Sequence, residues 1–140
     1  LEFNCRFGDP ETQPIMMRLK SNFVELVDAA IDGRLNEVEA EWDRRVALGV
    51  VMAASNYPDT PRKGDVIHGL PARTDDSHVF HAGTAEKGGA VVTAGGRVLC
   101  VTALGDNVKA AQKRAYEVLD QISFDGMQCR RDIGYRAIKR

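Results

Sequence analysis

Glu2, Asn4 and Arg6 stand at alternate positions in the run Leu1 to Phe7, with Leu1, Phe3, Cys5 and Phe7 interleaved between them. Strict alternation of polar and apolar residues is the period of a half-buried β-strand, and residues two apart then share a face at about 7 Å spacing. A carboxylate and an amide carbonyl on one face are hard oxygen donors that can share a cation such as Mg²⁺, which completes its octahedron with water and phosphate oxygens. Arg6, one step further, offers a planar fork to a phosphate or a carboxylate. The same E-x-N-x-R spacing also describes the solvated face of an amphipathic strand, so spacing alone does not define a site.

The elements that would position these side chains follow from the rest of the chain. Gly8-Asp9-Pro10-Glu11-Thr12 has turn chemistry, and a helix is expected from Pro14, with Ile15, Leu19, Phe23, Leu26 and Ala30 on one stripe and Gly33 closing it. Asn36 to Glu39 resembles a capping box, which predicts a short polar helix through Trp42. Val46 to Ala54 is mostly apolar and Val-rich, as a strand buried on both faces would be. Beyond Tyr57, Gly, Pro and Asp punctuate short runs at Val66 to Leu70, His78 to Ala82, Ala90 to Thr93 and Arg97 to Ala103. These predict antiparallel strands, with Gly95-Gly96 as a tight hairpin turn between the last two. Asp106 is placed to cap a final helix carrying Val108, Ala111, Ala115, Val118, Leu119 and Ile122 on one face. The class is α+β, a small antiparallel sheet with a covering helix.

Composition narrows the function classes. Nineteen Lys and Arg against 20 Asp and Glu leave a net charge of -1, without the electrostatic footprint of a nucleic-acid binder or a membrane-surface module. Neither a nucleic-acid nor a membrane partner is expected. Three widely spaced cysteines with no C-x-x-C spacing suggest neither a disulfide scaffold nor a zinc site and fit a cytoplasmic location. No apolar run is long enough to span a bilayer, and no basic region precedes an apolar one at the start. Leu1 already reads as mid-strand, which leads to the expectation that the chain is cut from a longer one.

The string Leu1 to Pro14, LEFNCRFGDPETQP, resembles without a gap the signature near the C-terminal end of the ATP-grasp domain in the phosphoribosylamine-glycine ligase family. The similarity continues through Leu48 to Ala54, Gly64 to Ile67, Val79 to Thr84, Thr93 to Leu99 and Arg131 to Ala137, and so covers essentially the whole chain. The resemblance implies that residues 1-40 hold the last strand and helix of an ATP-grasp domain and residues 41-140 a C-terminal α+β domain. It implies an enzyme of purine biosynthesis that joins glycine to phosphoribosylamine, converting ATP to ADP and phosphate through glycyl phosphate. Glu2 and Asn4 would be the ligands of Mg²⁺ or Mn²⁺, and Arg6 would steady the acyl phosphate. Gly8, Asp9 and Glu11 would adjoin the substrates. The adenine pocket and its lid would lie in missing N-terminal and ATP-grasp portions of the same polypeptide, leaving the fragment inactive alone. The alternative is a stand-alone, non-catalytic binding or protein-interaction domain.

Other residues read more simply. His78 and His81 lie three apart, on opposite faces of a strand, and so do not share a metal. Cys5, on the apolar face of the first strand, reads as a buried structural thiol. The glycine pairs match no phosphate-loop spacing and are explained by turns. Arg130, Arg131, Arg136, Lys139 and Arg140 read as a solvated or interdomain surface, and Trp42 as a packing residue near the boundary.

Overall fold

The computed structural model describes residues 5-139. Two helices open the described chain, α1 (Thr12–Arg18) and α2 (Phe23–Ile31), followed by a single 3₁₀ turn at Leu35–Glu37. The remainder is β1 (Val46–Ala53), β2 (Ser77–His81), β3 (Thr84–Lys87), β4 (Ala90–Thr93), β5 (Arg97–Gly105), α3 (Val108–Leu119), β6 (Gln128–Cys129) and α4 (Tyr135–Ile138). The architecture is α+β, as the sequence predicts. A four-stranded antiparallel sheet has the order β2-β5-β1-β6, and β3 and β4 form a separate hairpin.

The sheet is covered on both faces, which is why β1 and β5 read as nearly continuous apolar runs. Register pairs Leu48 with Ala103, Val50 with Val101 and Met52 with Leu99. These residues are buried together with Ala111, Ala115, Val118 and Leu119 of α3, and this is the main core. Asn107 rather than Asp106 caps α3, its side chain accepting from the Ala110 N–H at 2.9 Å. On the opposite face Gly49 lies between Cys100 and Pro14, where an added Cβ would sit 3.1 Å from both the Cys100 sulfur and the proline ring. Glycine at 49 therefore lets α1 lie directly on the sheet.

Several expectations change. The single helix from Pro14 to Ile31 is two, because Leu19 leaves the helical region and pairs with Trp42 in a β-bridge. Asn22 then caps α2, accepting from the Val24 N–H at 3.0 Å. Gly33 does close α2, at φ +70°, with the Arg34 N–H reaching back to the Ala29 carbonyl at 2.8 Å. The polar helix through Trp42 shrinks to the 3₁₀ turn, and Val66 to Leu70 makes only isolated bridges through Val66 and His68.

Gly95-Gly96 is not a hairpin turn. β4 pairs with β3 and β5 with β2 and β1, and neither glycine takes a positive φ. The positive-φ pair is Gly88-Gly89, at +59° and +76°, which turns β3 into β4. Gly95 and Gly96 serve close approach instead. Gly83 packs against the Gly95 backbone, and a Cβ on Gly96 would run into the Tyr57 ring.

Candidate functional site

Glu2 and Asn4, the expected metal ligands, lie outside the described residues. Cys5 to Phe7, the described end of the expected strand, is irregular. Cys5 is exposed rather than buried. Phe7 is 54% exposed and makes an edge-to-face contact with Phe23, with ring centroids 5.7 Å apart. The Arg6 guanidinium is exposed and donates to the Phe7 carbonyl at 3.0 Å.

The loop that follows is compact. Buried Gly8 presents a carbonyl that accepts from both the Thr12 N–H at 3.0 Å and the Thr12 hydroxyl at 2.5 Å. The Glu11 carboxylate folds over Gly8 so closely that a side chain at 8 would collide with it. The structure therefore brings Arg6, Gly8, Asp9 and Glu11 into one short loop. Cavities lie to either side: one of about 750 Å³ bordered by Arg6, Gly8 and Glu11, and one of about 460 Å³ bordered by Pro10, Tyr57, Arg97 and Arg130.

Two residues of this region, Tyr57 and Arg97, are not singled out by sequence reasoning. Arg97 Nη1 donates to the Asp9 carbonyl at 2.6 Å and lies 3.3 Å from the Asp9 carboxylate, while its Nε donates to the Tyr57 hydroxyl at 3.0 Å. The Tyr57 hydroxyl, and after it the Asp9 charge, raise the pKa of the guanidinium above its ordinary value. Tyr57 is aimed by its own turn, in which Asn56 takes φ +66°, a left-handed value that Asn tolerates. For Arg97 the sequence signal is Gly95-Gly96-Arg97, whose glycines suit a hairpin turn equally well.

The remaining candidates are structural. His78 stacks edge-on against Phe80 with centroids 4.5 Å apart, and burial lowers its pKa. His81 Nδ1 meets the Thr84 hydroxyl at 3.0 Å. Among the described residues no group of three or more His, Cys, Asp or Glu is placed to hold a metal, and no helix is long and apolar enough to cross a membrane. Arg130 pairs with Asp132 at 2.7 Å and Arg131 with Asp120 at 2.5 Å, while Arg136 and Lys139 lie over the Tyr135 ring. Trp42, expected to pack, is 46% exposed and makes a β-bridge with Leu19 just after α1.

A small α+β domain, with a helix on each face of its antiparallel sheet and an N-terminal loop bound to the end of a central strand, is the class these features define. The family model described as phosphoribosylglycinamide synthetase, C domain, matches residues 47–136, and the chain belongs to that family. It is 66% identical over its whole length to a phosphoribosylamine-glycine ligase of Ralstonia nicotianae and 62% identical to that of Neisseria meningitidis serogroup A. The crystal structure of a phosphoribosylamine-glycine ligase from Thermotoga maritima matches 96% of the chain at 41% identity, with a TM-score of 0.81. The chain spans about a third of the length of each of these proteins. The family resemblance carried by the sequence motifs is borne out.

Proposed function

We propose that this chain is the C-terminal third of an ATP-dependent ligase that joins glycine to 5-phosphoribosylamine, giving glycinamide ribonucleotide, ADP and phosphate in purine biosynthesis. The observation that carries the reading is 66% identity, along the whole chain, to a third of a protein of that name. Residues 1-40 would complete the ATP-grasp domain and residues 41-140 would form the C-terminal domain, in a cytoplasmic enzyme.

The exposed apolar face supports this division. Phe7, Phe23, Val24, Val27 and Ile31 are all more than a third exposed, and Ala29 is the one buried residue of α2. An amphipathic helix with its apolar stripe in water is incomplete. The upstream two thirds of the polypeptide would cover it.

In this reading Arg6 neutralises charge on the acyl phosphate, its fork matching two oxygens of the phosphoryl group. Glycine is a poor electrophile until its carboxylate is phosphorylated, so positioning and charge neutralisation are the enzyme's main contributions. Asp9 and Glu11, close to Arg6 in sequence, would meet ammonium or ribose hydroxyl groups. Glu2 and Asn4 are the hard-oxygen donor pair that would hold Mg²⁺ or Mn²⁺, which when bound offsets phosphate charge. The test is glycine- and phosphoribosylamine-dependent ADP formation by the full-length polypeptide. Glu2→Gln or Asn4→Ala is expected to abolish it, and Arg6→Lys to lower kcat more than ATP affinity. Near-normal turnover in the first two variants would remove the metal assignment.

A further inference from the structure

Arg97 is the first residue of β5, a strand otherwise buried along nearly its whole length. The ladder with β1 is regular from Gly105 to Leu99 and then slips, so that Ala53 pairs with Arg97 rather than with Val98. A bulge of this kind re-aims the side chain beside it. Here it sends a guanidinium towards the N-terminal loop while Val98 stays fully buried. The Tyr57 hydroxyl accepts from Nε on one side, and Gly96 provides the room the Tyr57 ring occupies. The opposite end of the fork grips the Asp9 carbonyl, 88 residues away in sequence. Among the described residues, the other hydrogen bonds of the Gly8-to-Thr12 segment are local, including those from Thr12 back to Gly8 and from the Ile15 N–H to the Glu11 carbonyl at 3.3 Å.

We infer that Arg97 is a positioning residue, which fixes the loop carrying Arg6, Asp9 and Glu11 to the sheet domain and thereby sets where these side chains meet the reacting groups. The inference rests on the ligase reading for its chemistry. A surface ion pair alone would contribute little. A main-chain carbonyl, a carboxylate and a phenol held by one planar fork define an orientation, and small displacements of positioned groups cost rate rather than binding. Lysine could reach one of these partners but not span them.

The experiment uses the full-length polypeptide with Arg97→Ala and Arg97→Lys, in two readouts. In the first, kcat of glycine-dependent ADP release should fall about 10- to 100-fold in Arg97→Ala, with the KM for ATP within about twofold, and Arg97→Lys should fall between. In the second, amide exchange at Thr12 should accelerate at least about tenfold in Arg97→Ala while β1 amides keep their protection. An unchanged kcat overturns the positioning role, and so does unchanged exchange in the loop. Loss of protection throughout β1 and β5 in both variants also overturns it, since Arg97 would then be a fold residue. A wild-type polypeptide without ligase activity refutes the ligase reading separately, and the exchange readout still decides whether Arg97 holds the loop.

Discussion

Replacing Gly96 by alanine tests whether the Gly95-Gly96-Arg97 sequence exists to seat the Tyr57 ring. Gly96 does not occupy the left-handed region, so the backbone accepts alanine without strain. The cost comes from the new methyl group, which would overlap the ring carbons of Tyr57. Overpacking of this kind costs about 1–3 kcal/mol. A displaced ring also loses its hydrogen bond to Arg97, and for a guanidinium 38% exposed this adds about 1 kcal/mol after solvent screening. The sum, about 2–4 kcal/mol, can be read in the full-length polypeptide from the opening free energies of β1 and β5 amides. A double-mutant cycle isolates the cause: once Tyr57→Ala has removed the ring, Gly96→Ala should cost less than about 0.5 kcal/mol more. Gly88→Ala is the control, because its φ of +59° and empty surroundings predict a pure strain cost of about 1–2 kcal/mol, independent of Tyr57. Equal costs for Gly96→Ala with and without the Tyr57 ring would refute the reasoning.

Three further outcomes are expected. Leu99→Ala, at a fully buried position facing α3, should destabilise the sheet domain by about 2–5 kcal/mol, and a loss below about 1 kcal/mol would mean the core is not where β5 places it. Hydrogen bonds from the Arg45 side chain and backbone hold the Asp43 carboxyl well below its ordinary value near 4, so the unfolded chain takes up the proton first as pH falls. The resulting stabilisation is complete above about pH 4 and is lost below it, so Asp43→Asn should flatten the acid limb of the stability curve; identical limbs would discard the pair. Burial pushes the Cys100 thiol up, so a thiol reagent should leave it unlabelled in the native protein until the sheet opens, and labelling as fast as at exposed Cys5 would contradict its burial.

Much of the sheet domain was legible in the sequence because apolar period and turn chemistry agree there. Val46 to Ala54 and Arg97 to Ala103 become β1 and β5, and the Val108 to Leu119 stripe becomes α3. Local propensity failed where a distant partner decides. Leu19 continues the helical stripe, yet Trp42 draws it into a bridge, and Gly95-Gly96 looks like a turn although its glycines make room for Gly83 and Tyr57. β3 and β6 escaped notice because one is mostly polar and exposed and the other is two residues long. At the candidate site, the loop residues from Arg6 to Glu11 were found by motif. Arg97 was not, since its role depends on a contact 88 residues away.

The register of β1 against β5 has a consequence for synthesis. Each β1 residue waits for a partner 44 to 59 positions later in the chain. At ribosomal rates of about 5–20 residues per second, this strand emerges roughly 2–12 s before it can pair. During that interval VALGVVMA is an unpaired, charge-free, β-prone segment of the kind that nucleates aggregation. Its neighbours answer the hazard: Asp43, Arg44 and Arg45 precede it, and Pro58, Asp59, Pro61, Arg62 and Lys63 follow closely. Charges and prolines flanking a hydrophobic strand act as gatekeepers, so these surface residues guard the nascent chain as well as the folded one.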